Sequence, residues 1–440
     1  MGRIREVRTR ICDTGHHSIG QRAEGSGRLD SRGIQGRLGI RVTFRKFTRR
    51  RGAVAAFGLV AALTLGACSG EPTVSASGGD GGGPTTEATA KPVGLKISPV
   101  AGAKDVAPGE PAKVSVANGT LASVTLTNPD GKQVQGQPSA DKKSWNTTED
   151  LGYGKTYTWS GQATGEDGKP TPVSGSFTTV EPRRQMAGSL NVGDEQTYGI
   201  AMPIALTFPS PVKDKASVEK ALSVETEPKT EGSWAWLEGD TSVHWRPKAY
   251  FEPGTKVTVN AKLYGVSMGD GVYGRQDVSS KFTIGRSQIV QGNTKDHTMQ
   301  VIRDGRKVMD FPVSYGLDAD PGRVTHSGVH VVMSKHATYS MSNPRYNYTD
   351  VNVPWAVRIS NNGEFIHGLA ASIWAQGKKN ISHGCLNLSP KNAKTYYDSV
   401  LPGDPVEITG STQQLSAKDG NYSDWTYDWT AWTKLSALNS

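Results

Sequence analysis

Residues 93–285 carry an internal repeat of short strands and turns with a period of about 100 residues. Residues 151–159 (LGYGKTYTW) line up with residues 251–259 (FEPGTKVTV), and each segment is followed by an Asp-Gly turn and a closing strand that contains Phe-Thr. Apolar residues alternate along these segments, which is the pattern of strands with one buried face. The repeat predicts two tandem β-sandwiches, at residues 93–181 and 182–285.

Neither predicted sandwich contains a cysteine. Neither can therefore carry the disulfide that joins the two sheets of an antibody domain, and both are immunoglobulin-like at most. We favour a rigid spacer as their role, and a polymer-binding module is the alternative.

The positive charge of the chain is concentrated at its start. The net charge is +9, but residues 1–67 hold 14 Lys and Arg against 4 Asp and Glu, whereas the remaining residues hold 36 against 37. The rest of the chain is close to neutral, which argues against a nucleic-acid partner.

The first 67 residues have the composition of an export leader. A basic stretch ends at Arg51, and residues 53–67 are apolar but shorter than the roughly 20 residues of a membrane-spanning helix. Cys68 follows Leu-Gly-Ala, the pattern of a lipid-attachment site, and an ordinary signal peptide is the alternative. We expect an exported protein, anchored by a lipid on Cys68 to the outer face of the cytoplasmic membrane. Residues 1–40 either belong to this leader or precede the true translation start.

Residues 286–410 predict a third, mostly-β unit. Asp304-Gly305 lies between two strand-like segments, which predicts a β-hairpin. Ser389 followed by Pro390 is a typical helix start, with Ser389 as N-cap. Strands are predicted at residues 329–333 and 355–359, and a helix at residues 389–397.

Two segments of different composition flank these units. Residues 68–92 are rich in Gly, Ser, Thr and Pro, which predicts a flexible linker after the lipidated cysteine. Residues 411–440 form a Trp-rich tail, whose large aromatic residues recur at helical spacing. We predict one short helix that docks its aromatic face onto the third unit or the second sandwich, and a carbohydrate-stacking face is the alternative. These aromatic residues are Tyr422, Trp425, Trp429 and Trp432.

Cys385 is the strongest candidate for a catalytic residue. Apart from Cys12 in the leader and Cys68, it is the only cysteine of the chain, so the exported protein would hold one unpaired thiol. His367 and His383 are available to activate the thiol, and His367 is the better candidate for the base because it can lie on a facing strand. Gly384 permits an unusual turn beside the nucleophile.

Backbone amides near Cys385 complete the predicted site. The amides of residues 383–385 are the natural donors to an oxyanion. The alternative is a zinc site made of the cysteine and the two histidines, which we disfavour because no fourth ligand is evident. We expect the other histidines of the third unit to be surface or packing residues, namely His297, His326, His330 and His336.

The motif around Cys385 resembles a known enzyme signature. His367, a spacer of 14 residues, and then Ser-His-Gly-Cys-Leu-Asn at residues 382–387 is similar to the signature of the YkuD-type L,D-transpeptidases. Residues 321–329 resemble the glycine-containing strand entry of that family, and residues 403–408 resemble its last strand. The whole order of lipid site, linker, two immunoglobulin-like domains, catalytic domain and aromatic tail resembles multidomain mycobacterial-type lipoproteins of this family.

The resemblance implies a function in peptidoglycan synthesis. It implies that Cys385 attacks a tetrapeptide stem to release D-Ala, and that His367 is the base. The resulting thioester would be resolved by an amine of a neighbouring stem to give a 3→3 cross-link. The resemblance further implies acylation by carbapenems and no need for a metal or other cofactor. Substrate-binding roles would fall to Tyr348, Asn362, Gly363 and Asn387.

Two other classes of protein remain open from the residues. A cysteine peptidase or carboxypeptidase of the wall would use the same acyl-enzyme with water as acceptor. A non-catalytic wall-binding lipoprotein would act through its sandwiches. No coiled-coil heptads are present, so we expect a monomer.

Overall fold

The computed structural model describes residues 91–419 and 422–439. The leader, the lipid-attachment Cys68 and almost all of the predicted linker lie outside the described residues. In the part that is described, no helix is long and apolar enough to cross a membrane.

The first two units are all-β apart from one short helix. In the first, seven strands form a four-stranded sheet in the order β1-β2-β5-β4 and a three-stranded sheet in the order β3-β6-β7. Their side chains meet in a core around Trp159 and Phe177. The strands are β1 Gly94–Ser98, β2 Lys113–Ala117, β3 Gly119–Thr127, β4 Gly136–Pro138, β5 Ser144–Thr147, β6 Thr156–Gly165 and β7 Pro170–Thr178.

The second unit repeats this plan with additions. Its elements are β8 Arg184–Met186, β9 Ser189–Leu190, β10 Thr197–Tyr198, β11 Ile204–Thr207, α1 Lys215–Lys220, β12 Leu222–Glu227, β13 Gly232–Trp236, β14 Ser242–Pro247, β15 Lys256–Ala261, β16 Ser267–Gly269, β17 Val272–Gly274 and β18 Val278–Ile284. The sheets have the orders β10-β18-β15-β12, β13-β14-β11-β9 and β16-β17-β8. The antiparallel set β12-β15-β18 corresponds to β3-β6-β7 and contains the repeated sequence segments, which confirms the predicted mainly-β, sandwich-type fold.

The third unit is built from two sheets and one helix. The sheet orders are β21-β20-β19-β27-β22 and β23-β24-β25-β26. Between the sheets lies a core that includes Tyr315 and Tyr396, the latter from the helix. The elements are β19 Gln288–Asn293, β20 Thr298–Arg303, β21 Arg306–Pro312, β22 Gly328–Val331, β23 Ser334–Asn343, β24 Tyr348–Arg358, β25 Phe365–Gly368, β26 Leu386–Leu388, α2 Pro390–Ser399 and β27 Pro405–Thr409.

Two local predictions in this unit are confirmed. Strands β20 and β21 form the expected hairpin, and Asp304 and Gly305 take positive φ angles of 48° and 76° at its turn, as a type I′ turn requires. Helix α2 begins at Pro390, and the hydroxyl of Ser389 accepts a hydrogen bond from the amide of Asn392 at 3.2 Å.

The tail does not form the single helix that its spacing predicted. It contains a 3₁₀ turn at Asp424–Thr426 and a separate five-residue helix α3 at Trp429–Thr433, with extended backbone at Tyr427 between them. The helix restarts because the carboxylate of Asp428 caps it by accepting from the amide of Ala431 at 2.8 Å.

The predicted docking of the tail is confirmed, and its aromatic side chains contact the second unit. The indole of Trp425 donates to the carbonyl of Ala201 at 2.9 Å, and that of the fully buried Trp432 donates to the carbonyl of Ser233 at 3.0 Å. The guanidinium of Arg246 lies 4.6 Å from the ring centre of Trp425 and 4.9 Å from that of Trp432.

The second unit also contacts the third unit directly. The amides of Gly199 and Ala201 donate to the carbonyl oxygens of Pro402 and Gly403, just before β27, at 2.8 Å and 2.9 Å. The hydroxyl of Tyr250 donates to Glu407 on β27 at 3.0 Å. Strand β27, which pairs with β19, is thus hydrogen-bonded to the second unit.

Candidate active site

Two neighbouring strands bring Cys385 and His367 together, as the sequence predicted. Strands β25 and β26 are parallel, and His367 is level with Asn387. Cys385 comes immediately before β26, level with the start of β25 at Phe365. The crossover between the two strands holds the 3₁₀ turn Ala370–Ser372.

The two side chains open into one cavity of about 220 Å³. Five of the eight residues predicted for the site line this cavity: Tyr348, His367, His383, Cys385 and Asn387. The other lining residues are Met341, Val351, Val353, Leu369, Ile381 and Ser382. The walls are therefore largely apolar, with a few polar groups near the thiol.

The ring of His367 is buried and has a defined tautomer. Its Nδ1 lies 3.1 Å from the carbonyl oxygen of Gly368. A carbonyl oxygen can only accept, so Nδ1 carries the proton and Nε2 is left as an acceptor. Burial lowers the pKa of His367 to about 4, so the imidazole is neutral at neutral pH.

The thiol of Cys385 is buried among apolar side chains of β24 and β25, including Val353 and Phe365. Burial raises the pKa of Cys385 to about 12, an effect that a hydrogen bond from the Phe365 amide only partly offsets. The sulfur lies 3.7 Å from the carbonyl oxygen of Gly363 and donates to it. The resting site therefore holds a neutral thiol and a neutral imidazole.

Gly384 has the backbone conformation for which glycine was expected. Its φ angle is 105°, a value that other residues rarely adopt. A Cβ at this position would meet only ordinary contacts, 3.5 Å from Glu364 and 3.6 Å from Val324. The constraint on residue 384 is therefore the turn itself.

His383 forms one wall of the cavity and lies against two tyrosines. The ring centres of Tyr346 and Tyr348 are 4.8 Å and 5.3 Å from that of His383. Burial, together with the positive charge of Arg323, lowers the pKa of His383. His383 therefore contributes to the wall of the cavity beside the thiol.

Some of the predicted substrate-binding residues line the cavity or contact the thiol, and one does not. The side-chain oxygen of Asn387 is buried in the cavity wall without a hydrogen-bond partner among the described residues. Gly363 contacts Cys385 through its carbonyl oxygen. Asn362 does not line the cavity, and its amide nitrogen lies 3.3 Å from Nδ1 of His326 and 3.2 Å from the carboxylate of Asp419.

A buried carboxylate behind the cavity was missed by the sequence analysis. Glu364 accepts from the side chain of His326 at 2.9 Å, from His330 at 2.9 Å and from Ser360 at 3.0 Å. Although burial alone would raise it, these hydrogen bonds and the charge of His330 hold the pKa of Glu364 at about 2. His326 and His330 are thus packing residues with a shared partner, Glu364, that the sequence analysis did not identify.

The remaining histidines have local partners, as packing residues do. Nδ1 of His297 lies 2.9 Å from Asn380, and Nε2 of His336 lies 3.0 Å from Ser334. No group of three or more His, Cys, Asp or Glu with metal-binding geometry occurs in the described residues, so the zinc alternative gains no support.

The fold and the site define a cysteine-containing enzyme domain carried on immunoglobulin-like domains, and comparisons with known proteins assign it further. Residues 287–408 match the family described as L,D-transpeptidase catalytic domain, and residues 103–267 match a bacterial Ig domain. L,D-transpeptidase 5 of Mycobacterium tuberculosis is 48% identical over 87% of this chain and 83% of its own length. L,D-transpeptidase 2 of the same species is 35% identical over 77% of this chain and 83% of its own length.

The chain belongs to the L,D-transpeptidase family, and its activity is that of an acyltransferase. A solved structure of an LD transpeptidase in complex with imipenem is 32% identical and covers 52% of this chain and 99% of that chain, with a TM-score of 0.44.

Proposed function

We propose that this chain forms 3→3 peptidoglycan cross-links through a thioester on Cys385. The observation that carries the proposal is the cavity that Cys385 and His367 share. His367 lies on β25, and Cys385 immediately precedes the parallel neighbouring strand β26, so a thiol and an imidazole suited to be nucleophile and base face the same space. The membership of the family and the Ser-His-Gly-Cys motif support the same assignment.

The first half-reaction is acylation. The Cys385 thiol gives its proton to Nε2 of His367 as the sulfur attacks the carbonyl carbon of the third stem residue. The negative charge passes to the carbonyl oxygen, where the amides of residues 383–385 can receive it. The C–N bond to D-Ala then breaks, and His367 returns the proton to the leaving nitrogen.

The second half-reaction transfers the acyl group. A side-chain amine of a neighbouring stem attacks the thioester, gives a proton to His367 and forms the new amide. The C–S bond breaks and the thiolate recovers its proton from His367. The unpartnered side-chain oxygen of Asn387 and the position of Tyr348 in the cavity wall support a role of both residues in holding the donor stem.

The neutral resting pair argues for general-base catalysis rather than a preformed thiolate. The low pKa of His367 and the high pKa of Cys385 both disfavour a thiolate–imidazolium pair before substrate binds. Proton transfer and attack would then occur together, so that charge develops only once the oxyanion donors can receive it.

The proposal extends to location, partners and inhibition. Export and a lipid on Cys68 would place the catalytic domain on the outer face of the cytoplasmic membrane, with the immunoglobulin-like domains as spacers. A carbapenem offers Cys385 a strained lactam carbonyl, so ring opening would leave a stable acyl-enzyme. We propose that the protein acts as a monomer.

Mass spectrometry of the purified protein incubated with a disaccharide-tetrapeptide tests the function. We expect a product whose mass is twice that of the substrate minus one D-Ala, and no such product with Cys385→Ala. Tripeptide without dimer would instead identify a carboxypeptidase. No reaction by a folded protein would favour a non-catalytic wall-binding lipoprotein.

A further inference from the structure

The backbone carbonyls of the loop that carries the nucleophile, residues 381–385, accept hydrogen bonds from two side chains on one side of the loop. Nε of Arg323 donates to the carbonyl oxygen of Ser382 at 3.2 Å, and Nη2 donates to that of Ile381 at 2.5 Å. The hydroxyl of Thr325 donates to the carbonyl oxygen of Gly384 at 2.8 Å. Both donors belong to the segment that precedes β22, outside the Ser-His-Gly-Cys motif.

The hydrogen bonds of the Thr325 hydroxyl fix the direction in which it donates its proton. The amide of Gly316 donates to its oxygen at 2.9 Å, so that oxygen already accepts one hydrogen bond. Its own proton is the remaining polar group and points to Gly384. Thr325 is buried, so water does not compete for these bonds.

These hydrogen bonds fix the direction of two amide N–H groups. In a trans peptide the C=O and N–H bonds point in opposite directions. The carbonyl of Ser382 accepts from Arg323 and also from the amide of Leu317 at 3.1 Å, so the N–H of His383 is aimed away from both donors. A carbonyl of Gly384 held by Thr325 aims the N–H of Cys385 away from Thr325. Across the described residues, neither N–H donates to a side chain or to a loop carbonyl.

We infer that Arg323 and Thr325 are positioning residues that orient the His383 and Cys385 amides as oxyanion donors. The inference rests on the proposed thioester mechanism. Donors that are already aimed at the oxyanion need no rearrangement when charge develops, which is the condition under which such donors accelerate acyl transfer most. The carbonyl of Cys385 is held in addition by the hydroxyl of Ser382 at 2.6 Å, so the loop is restrained on both sides of the nucleophile.

The test compares two reactions of the same sulfur. Acylation by a carbapenem passes through an oxyanion, whereas alkylation by iodoacetamide at a saturated carbon does not. Thr325→Val removes only the hydroxyl, Thr325→Ser keeps it, and Thr395→Val is a matched control at an exposed threonine of α2. Arg323→Gln is a second, independent variant.

We expect Thr325→Val to slow carbapenem acylation by on the order of 10- to 100-fold, somewhat less than the loss of a complete oxyanion donor. Alkylation should stay within about twofold, Thr325→Ser should recover most of the acylation rate, and Thr395→Val should match the unaltered protein. Arg323→Gln should show the same split between the two reactions with a smaller loss of acylation, because the Leu317 amide still holds the Ser382 carbonyl.

Equal acylation rates in the unaltered protein and Thr325→Val would overturn the inference, and so would a parallel loss of both reactions. The melting temperature of each variant identifies a folding defect, in which case Arg323→Gln decides. If the unaltered protein is alkylated but neither acylates nor releases D-Ala, the proposed function fails instead, whatever the Thr325 variants do.

Discussion

Two buried groups of ionisable residues meet at strand β25, and they have opposite electrostatics. Glu364, just before the strand, is ionised and shares its oxygens among His326, His330 and Ser360. His367, within the strand, is neutral and contacts one backbone carbonyl. The pKa of Glu364 is lowered to about 2 although burial alone would raise it. The pKa of His367 is lowered to about 4, in the direction that burial alone favours.

Both groups are buried, so the opposite charge states of Glu364 and His367 must come from the number of hydrogen bonds that each one makes. A charge inside a protein persists where enough donors surround it, and a titratable group without them is held neutral. Glu364 and its hydrogen-bond partners therefore contribute to the stability of the fold, whereas His367 and Cys385 stay neutral until the reaction separates charge between them. Variants of each group should show which one acts on stability and which one on the reaction.

Cys385→Ala should have the largest effect of all. Acylation and release of D-Ala should fall to background, because no other cysteine lies in the described residues. The melting temperature should change little, since alanine removes one sulfur from an apolar wall. Measurable turnover in this variant would disprove the thioester mechanism.

His367→Ala should reduce acylation by roughly 10²- to 10⁴-fold, the usual contribution of a general base. Because Nε2 is the only acceptor that the ring offers, the rate should no longer show titration of an imidazole. Stopped-flow acylation across pH measures both effects. A loss smaller than about fivefold would assign the base elsewhere.

Glu364→Gln should lower the free energy of unfolding by about 3 kcal/mol, the value of a pKa held roughly 2.5 units below normal. The lowered pKa of Glu364 stabilises the fold above about pH 4.5, and this contribution is lost as pH falls towards 2. Hydrogen bonding to Glu364 raises the pKa of His326, so its contribution is present below about pH 6.5 and is lost as pH rises further.

The difference in stability between the unaltered protein and Glu364→Gln should therefore be largest between about pH 4.5 and 6.5 in denaturant titrations. The same variant should make the thiol easier to ionise, because the charge of Glu364 raises the pKa of Cys385. Faster iodoacetamide alkylation at fixed pH, together with lower stability, would show that the charge of Glu364 stabilises the fold and at the same time disfavours the thiolate of Cys385. Slower alkylation would contradict the electrostatic comparison.

Asn362→Ala should have the smallest effect, about 1 kcal/mol in stability, because the two contacts of its amide nitrogen are exposed and only one part-buried hydrogen bond, from Ser360, is lost. Its position outside the cavity predicts an unchanged acylation rate. A clear loss of acylation would restore the substrate-binding role that the family resemblance implied. Melting and acylation assays on one preparation measure both.

The parts of the molecule that sequence reasoning found have signals that are local in the chain. Cys385 and His367 belong to one motif, Ser389-Pro390 marks a helix start, and Asp304-Gly305 marks a hairpin. Each signal depends on residues a few positions apart, or on one short crossover between paired strands.

The parts that were missed depend on residues far apart. Glu364 finds its partners in a different segment, around His326 and His330, and no pattern in a single sequence links them. The aromatic spacing of the tail was read as one helix, but the buried pair of Asp424 with His244 at 2.8 Å and the cap at Asp428 divide it. Tertiary contacts thus outweighed a local periodicity.

The contacts of the tail have a mechanical consequence. The catalytic unit is attached to the second unit just before β27, where the amide of Ala201 donates to the carbonyl of Gly403, and again through the tail, where Trp425 donates to the carbonyl of Ala201. A single attachment allows a swinging hinge, whereas two attachments resist torque. The second unit and the enzyme should therefore turn as one lever, so that a force on the second unit would move the cavity together with its support rather than bend the joint between them.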